Sequence, residues 1–418
     1  LRATNCATPR LSMLLYDALI IGARMKYCVL IIDGASGWPL AAHGGRTCLE
    51  LAHTPNMDAM VKAGAVGLLH TVPPGMEPSS ACACMSVLGY DPQVYYRGRS
   101  AIEACGMGVP INEGEAVFRC NLVAVRDGRM WSYSCGHIST GEGRALIASL
   151  NEKLGSDEVH FYPGVSYRHI CKIKGREDAL LASCTPPHDI PDKAIDEFLP
   201  KGPGSDLLRE LMARSELVLR DHPVNVERRA RGDIPATIVW LFWGSGKIPD
   251  MPAFKEVYGL DAAMTSGVDI MRGLARMTGM QVLDIPGVTG DLDNGYVAQA
   301  IGALEALVKY DMVVIHVEAT DEAAHAGLAK DKIEAIQSVD KEVVSRLHSW
   351  DRDALRVLIL PDHSTPIEIQ THAADPVPFI LWGPGFTAGG AKRFTEAEAK
   401  GTGVFIKEGY NIMGRLIK

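Results

Sequence analysis

The sequence predicts an α/β protein with a doubly wound, mostly parallel sheet interrupted by a smaller inserted α+β domain. Three observations carry this prediction. Apolar, β-branched runs stop abruptly at Asp, His or Gly; helical periodicities lie between those runs; and a Pro- and Gly-rich middle breaks the alternation. The first run, Tyr27 to Ile32 (YCVLII), closes at Asp33-Gly34 and reads as a strand buried on both faces. Met312 to Ile315 ends near His316, Val357 to Leu360 ends at Pro361-Asp362-His363, and Val377 to Trp382 stops at Gly383-Pro384-Gly385. Tyr296 to Lys309 repeats Ala and Leu at helical spacing. In Lys330 to His348, Ile333, Ile336, Val339 and Val343 follow the i, i+3/i+4 rule.

The middle reads differently. Short alternating stretches (Val117 to Val125, Val159 to Phe161, Tyr167 to Ile173) mix with joints such as Thr185-Pro186-Pro187-His188-Asp189 and Pro200-Lys201-Gly202-Pro203-Gly204. The expected division is therefore a core over 25–115 and 233–418 with an insertion over 116–232. Ala236 to Gly244 (ATIVWLFWG) is taken as the strand on which the core resumes. Residues 1–24 are expected to be an upstream extension, because Met25-Lys26 leads directly into the first strand; their segment LSMLLYDALIIG loosely resembles a signal-peptide core.

Composition narrows the functional classes. With 418 residues, 47% hydrophobic and 22% charged, the chain can bury a full core and is neither a disordered nor a fibrous sequence. The formal charge is −8, and no Lys/Arg cluster is long enough to follow a nucleic-acid backbone or an anionic membrane, so neither is expected as a partner. An anionic substrate would need metal ions or a few placed Arg residues to offset the repulsive mean field. The ten cysteines are scattered without a CxxC pair, which suits free thiols in a reducing cytoplasm rather than a disulfide framework or zinc ribbon.

Candidate chemistry sits just past the carboxyl ends of predicted strands, where α/β enzymes hold ligands. These groups are Asp33, the pair Asp362-His363, and Asp321 with His325 in DEAAH, whose four-residue spacing puts both side chains on one helical face. His372 follows after a short loop and can return to the same place. An isolated Asp in such a position is commonly a helix cap, and Asp321 alone fits that role. The joint occurrence of three Asp and three His favours a metal centre, and hard carboxylates with imidazoles suit Mn²⁺, Zn²⁺, Co²⁺ or Mg²⁺. A second constellation, Pro78 to Ser86, surrounds two serines with small residues ahead of a helical stretch. It lacks a GxSxG elbow, so metal activation of a serine is the better mechanism there.

Taken together, the motifs resemble a known family. They are Asp33-Gly34, HTPNMD at 53–58, LGYDP at 88–92, Gly98-Arg99-Ser100, FRCNL at 118–122, GHIS at 136–139, PPHD at 186–189, DEAAH at 321–325, PDH at 361–363 and THAADPVPF at 371–379. In this order they resemble the archaeal-type 2,3-bisphosphoglycerate-independent phosphoglycerate mutases of the alkaline phosphatase superfamily, over about residues 25 to 418. The resemblance implies an alkaline-phosphatase-like core, an inserted substrate-binding domain, two divalent metal ions and no 2,3-bisphosphoglycerate. It implies Asp321, His325 and His372 as ligands of one ion, and Asp33, Asp362 and His363 with the nucleophile as ligands of the other. Counting back from LGYDP makes Ser80, not Ser79, the implied nucleophile, which would carry the phosphoryl group between the 3- and 2-hydroxyls of glycerate. Arg119, His137, Arg168 and Arg228 are the implied substrate-binding residues, on a hinged domain that closes the site against water.

The sequence departs from the family pattern at Ala81, where an acid is usual, at Cys84 for Asn, Ser79 for Gly, Gln299 for Lys and Ser245 for Gln, and it lacks the usual Asp in Gly34 to Gly37. A related phosphotransferase or phosphatase acting on another small phosphorylated metabolite, such as a homoserine-kinase-like enzyme, and a metal-binding homologue without turnover are the alternative readings. Oligomeric state is left open.

Overall fold

The computed structural model describes residues 25–418, so the expectation for residues 1–24 lies outside the described residues. Among the described residues thirteen strands are present: β1 (Lys26–Ile32), β2 (Ala65–Leu69), β3 (Glu115–Arg126), β4 (Arg129–Ser132), β5 (Val159–Tyr162), β6 (Arg168–Lys174), β7 (Ile238–Ser245), β8 (Ala262–Thr265), β9 (Gln281–Val282), β10 (Met312–Val317), β11 (Leu355–Leu360), β12 (Val377–Trp382) and β13 (Phe405–Ile406). The chain forms two compact units, one running to Tyr96 and resuming over Asp250–Lys418, the other being Arg97–Pro249.

The first unit is an eight-stranded sheet in the order β13-β2-β12-β11-β1-β10-β8-β9. β1 lies between β10 and β11, parallel to both, and β8 and β9 extend the parallel run. β12 is antiparallel to β11 and β2, which makes the sheet mixed at one side. The near-continuous apolar character of the central strands follows from burial on both faces: every residue from Tyr27 to Ile32 and from Met312 to Val317 is buried. Helices cover the sheet, among them Tyr296–Lys309, which coincides with its sequence expectation. Ala329–Val339 passes through one π turn at Asp340–Val344 before Ser345–His348 completes the expected segment. Asp340 is used locally there: its carboxylate accepts the backbone N–H groups of Asn56 (3.2 Å) and Met57 (2.7 Å), capping the Pro55–Val61 helix.

The second unit carries a five-stranded antiparallel sheet with β3 at its centre, paired on one side with β6 and on the other with β7. Leu146, Ile147 and Leu150 from one helix and Leu208, Leu211 and Met212 from another pack with Phe118, Cys120 and Trp240 of the strands. The placement of β7 corrects the sequence reading. Ala236 to Gly244 does not resume the core but completes the sheet of the second unit. A run buried on both faces looks alike in the centre of a parallel sheet and beneath helices in an antiparallel one, so the pattern could not separate the two. The Arg99–Gly106 helix also belongs to this unit, so the observed divisions lie at 96/97 and 249/250 rather than at 116 and 232.

Among the described residues no helix is long and apolar enough to cross a membrane, and all nine cysteines are free.

Candidate active site

Three adjacent parallel strands, β11, β1 and β10, deliver the acidic and imidazole groups from their carboxyl ends. Asp33 follows β1 directly, Asp362-His363 follows β11, and the Ala319–His325 helix begins just after β10 and carries Asp321 and His325. All are buried except His325, at the solvent side, and half-buried His372. Asp321 Oδ2 lies 3.0 Å from His325 Nε2 and 3.6 Å from His372 Nε2, and the two imidazole Nε2 atoms are 3.0 Å apart. His363 Nε2 lies 3.4 Å from Asp33 Oδ1 and 3.3 Å from Asp362 Oδ2. The structure thus brings together all six predicted ligands in two adjoining groups. Asp321, His363 and His372 are close enough to share an ion, and so are Asp33, Asp362 and His363.

The hydrogen bonds show how these side chains are aimed. A carbonyl oxygen can only accept, so His325 Nδ1 donates to the Gln370 carbonyl (2.8 Å) and His372 Nδ1 to that of Pro78 (3.2 Å), which in the neutral rings leaves the Nε2 lone pairs for an ion. The carboxylates are divided the same way. Asp362 Oδ1 accepts from Gly34 N (3.1 Å) and His363 N (2.9 Å), while Oδ2 faces the group and takes the weak sulfhydryl bond of Cys84 at 3.4 Å. Asp33 Oδ2 pairs with His316 Nε2 at 2.8 Å, while its buried Oδ1 has no hydrogen-bond partner. Asp321 Oδ1 accepts from Thr365 Oγ1 at 2.6 Å, and Oδ2 faces the histidines. One atom of each side chain is tied to the protein and the other points inward, which is how a metal site is organised.

Charge agrees with geometry. Burial, with Asp362, Glu318 and Asp321 close by, pushes the Asp33 carboxyl well above its ordinary value, as expected where cations must offset crowded acids. Burial opposes ionisation of Asp321 too, yet His372 and His325 hold it well below the usual range. Burial lowers His363 and His316 to about 4, so both imidazoles are neutral near pH 7. Asp321 overcomes burial and raises His325 to about 9, a proton that a bound ion would displace; carboxylates and imidazoles together fit divalent ions.

Ser80 opens the Ser80–Val87 helix, and its Oγ lies 3.2 Å from His363 Nε2. Ser79 is occupied otherwise: it is the N-cap, its Oγ accepting from Cys82 N at 3.3 Å. The sharp turn after β1 depends on Gly34, at φ 60°, where a Cβ would stand 2.3 Å from Asp321 Oδ1 and 2.6 Å from Thr365 Oγ1.

The four predicted substrate residues all belong to the second unit. Exposed His137 and half-buried Arg168 flank Tyr167, with its ring centroid 6.1 Å from that of His137 and 5.8 Å from the Arg168 guanidinium carbon. Arg119 is buried, with Nε donating to Asn121 and Nη1 paired with Glu103. Arg228 is engaged within the second unit. Its guanidinium is buried and spent on Ile234 O, Glu142 and Cys135 O, an internal tie that a count of basic residues could not foresee.

Sequence reasoning also missed residues. His316 and Glu318 adjoin Asp33 in a third group, and Thr365 stands between Asp321 and His363. His316 was visible at the end of its apolar run; nothing marks Thr365 except its place two residues after His363. Gln299 is internal, bonding the His316 carbonyl (2.9 Å) and Asn294 (2.8 Å). Arg99 lies over the Trp243 ring at 4.9 Å, and its signal was the Gly98-Arg99-Ser100 motif.

Known proteins resemble this chain along nearly its whole length. A family model described as 2,3-bisphosphoglycerate-independent phosphoglycerate mutase matches residues 61–225. A protein of that name from Methanothrix thermoacetophila is 46% identical over 396 residues, covering 94% of this chain and 100% of the relative. Another of that name, from Methanosarcina barkeri, is 43% identical over 398 residues, with the same coverage. Among solved structures, a Pyrococcus horikoshii protein superposes with TM-score 0.80 at 27% identity, covering 94% of this chain and 97% of that one. The cofactor-independent phosphoglycerate mutase of Thermoplasma acidophilum superposes with TM-score 0.62 at 25% identity, covering 94% and 99%.

Proposed function

Because this chain belongs to the 2,3-bisphosphoglycerate-independent phosphoglycerate mutases, we propose that it interconverts 3-phosphoglycerate and 2-phosphoglycerate through a phosphoserine at Ser80. The observation that carries this reading is the convergence of Ser80 Oγ, three inward carboxylate oxygens and three histidine Nε2 atoms on one buried-to-open gradient at the sheet's carboxyl edge. Two divalent ions held there, one by Asp321, His325 and His372 and one by Asp33, Asp362, His363 and Ser80, would supply Lewis acidity toward the phosphoryl oxygens and the serine hydroxyl. Mn²⁺, Zn²⁺, Co²⁺ and Mg²⁺ all suit these donors.

The residues divide the work. Ser80 Oγ attacks phosphorus as the bond to the substrate's 3-oxygen breaks, giving phosphoserine and glycerate. The proton that Ser80 gives up goes to the departing 3-oxygen; the glycerate 2-hydroxyl then attacks the phosphoserine, and its proton goes to Ser80 Oγ as that oxygen leaves. No second phosphorylated cofactor is needed, since the serine itself carries the phosphoryl group. Gln370, Pro78 and Thr365 fix the imidazole orientations throughout, so little reorganisation accompanies charge transfer.

We assign substrate binding to the second unit, with Arg119, His137 and Arg168 as the groups that pair with anionic oxygens; Arg99, beside Trp243, joins them. The nine free thiols support a cytoplasmic setting. Acid quenching during turnover followed by peptide mass spectrometry tests the assignment. Phosphate on Ser80, lost in Ser80→Ala together with turnover, supports it; label on Ser79, or turnover without Ser80, overturns it.

A further inference from the structure

Thr365 stands where the two proposed metal groups meet. Its side chain is fully buried, and its single hydroxyl touches one ligand from each group: Oγ1 lies 2.6 Å from Asp321 Oδ1 and 3.1 Å from His363 Nδ1. A hydroxyl has one hydrogen to give, and a carboxylate can only accept. The hydrogen therefore goes to Asp321, and Thr365 Oγ1 must accept from His363. This order fixes the imidazole as the Nδ1–H tautomer and leaves the Nε2 lone pair facing Ser80 Oγ, Asp33 Oδ1 and Asp362 Oδ2. The reverse order would put the Nε2 proton where the ion is to bind.

Thr365 is itself held rigidly. Its carbonyl accepts from the buried Lys332 ammonium at 2.8 Å, and the same Nζ donates to the Ser36 carbonyl at 3.0 Å, tying the loop after β11 to the loop after β1. Thr365 N donates to the Ser36 carbonyl as well. The absent Cβ at Gly34 leaves the space that Thr365 Oγ1 and Asp321 Oδ1 fill.

We propose that Thr365 is a positioning residue whose one hydroxyl orients a ligand of each metal group and so links the affinities of the two ions. The proposal rests on the two-metal reading above. It does not require Thr365 to touch substrate or ion.

The test compares wild type, Thr365→Val, which keeps the shape and removes the hydroxyl, and Thr365→Ser, which keeps the hydroxyl. Full-length metal-free protein is titrated with Mn²⁺, reading free Mn²⁺ by electron paramagnetic resonance, and the melting temperature of each metal-free variant is recorded. Two ions per wild-type chain are the premise; failure to bind them sinks the two-metal reading and is seen before any variant is compared. Given that premise, Thr365→Val should weaken both ions by about 10- to 100-fold, the range for loss of an outer partner of a metal ligand, and Thr365→Ser should restore both to near wild type. Wild-type affinities in Thr365→Val overturn the proposal, and weakening of one ion alone overturns the link. A Thr365→Ser protein that melts like wild type yet binds as poorly as Thr365→Val also overturns it, because packing rather than the hydroxyl would then be responsible.

Discussion

Gly34→Ala places a single methyl group against the centre of the proposed site, and its cost can be worked from the geometry. The added Cβ would lie 2.3 Å from Asp321 Oδ1 and 2.6 Å from Thr365 Oγ1, both inside the 3.0 Å that real Cβ atoms keep. Asp321 must then withdraw by roughly 1 Å, and a misplacement of that size costs on the order of 100-fold in rate. The backbone adds to this: at φ 60° an alanine is strained by about 1 kcal/mol. The expectation is a loss of about 100-fold in kcat/KM for 3-phosphoglycerate, measured by coupling 2-phosphoglycerate to enolase, with weaker Mn²⁺ binding and only a modest fall in melting temperature. A Gly34→Ala protein with wild-type kcat/KM and Mn²⁺ affinity would show that Asp321 and Thr365 are not held against Gly34 in this way.

Ser79→Ala should lower stability by about 1 kcal/mol through loss of the helix cap while still forming phosphoserine, checked by thermal unfolding and mass spectrometry. Lys332→Met should destabilise by about 2 to 4 kcal/mol in denaturant unfolding, because the buried carbonyls of Ser36 and Thr365 lose the ammonium between them. Glu103 is buried, which alone would raise its pKa, but Arg119 and Arg99 lower it from 4.5 to about 2. A depressed carboxyl stabilises the fold above its unfolded pKa, so this contribution, roughly 3 kcal/mol, should fade as pH falls from 4.5 toward 2. The stability gap between wild type and Glu103→Gln should narrow across that window; a constant gap would contradict the assignment. Chelation with EDTA should abolish turnover, and added Mn²⁺ should restore it within minutes of mixing if the fold persists without metal, as followed by circular dichroism.

The ligand-bearing strands were legible because burial on both faces leaves a continuous apolar run, and the ligands stand where such runs end: Asp33 after Ile32, Asp362 after Leu360. Asp321 and His325 were legible from their one-turn spacing. Strand β7 was not, since its apolar run carries no mark of the sheet it joins. Arg228 shows a different limit. Its charge is visible in the sequence, but Glu142 and the carbonyls of Cys135 and Ile234, distant in the chain or hidden in the backbone, decide how it is used. Thr365 and Lys332 were hidden for the same reason, because their roles are set by hydrogen bonds to Asp321 and Ser36, which only the folded chain brings near.

Phosphorus NMR of the purified protein with Mn²⁺ and 3-phosphoglycerate, following 2-phosphoglycerate and free phosphate in one reaction, separates mutase from phosphatase chemistry. Wild-type protein should form 2-phosphoglycerate without phosphate release, and Ser80→Ala should form none. Phosphate release in place of 2-phosphoglycerate, or neither product from protein that has bound two ions, would contradict the proposed mutase activity.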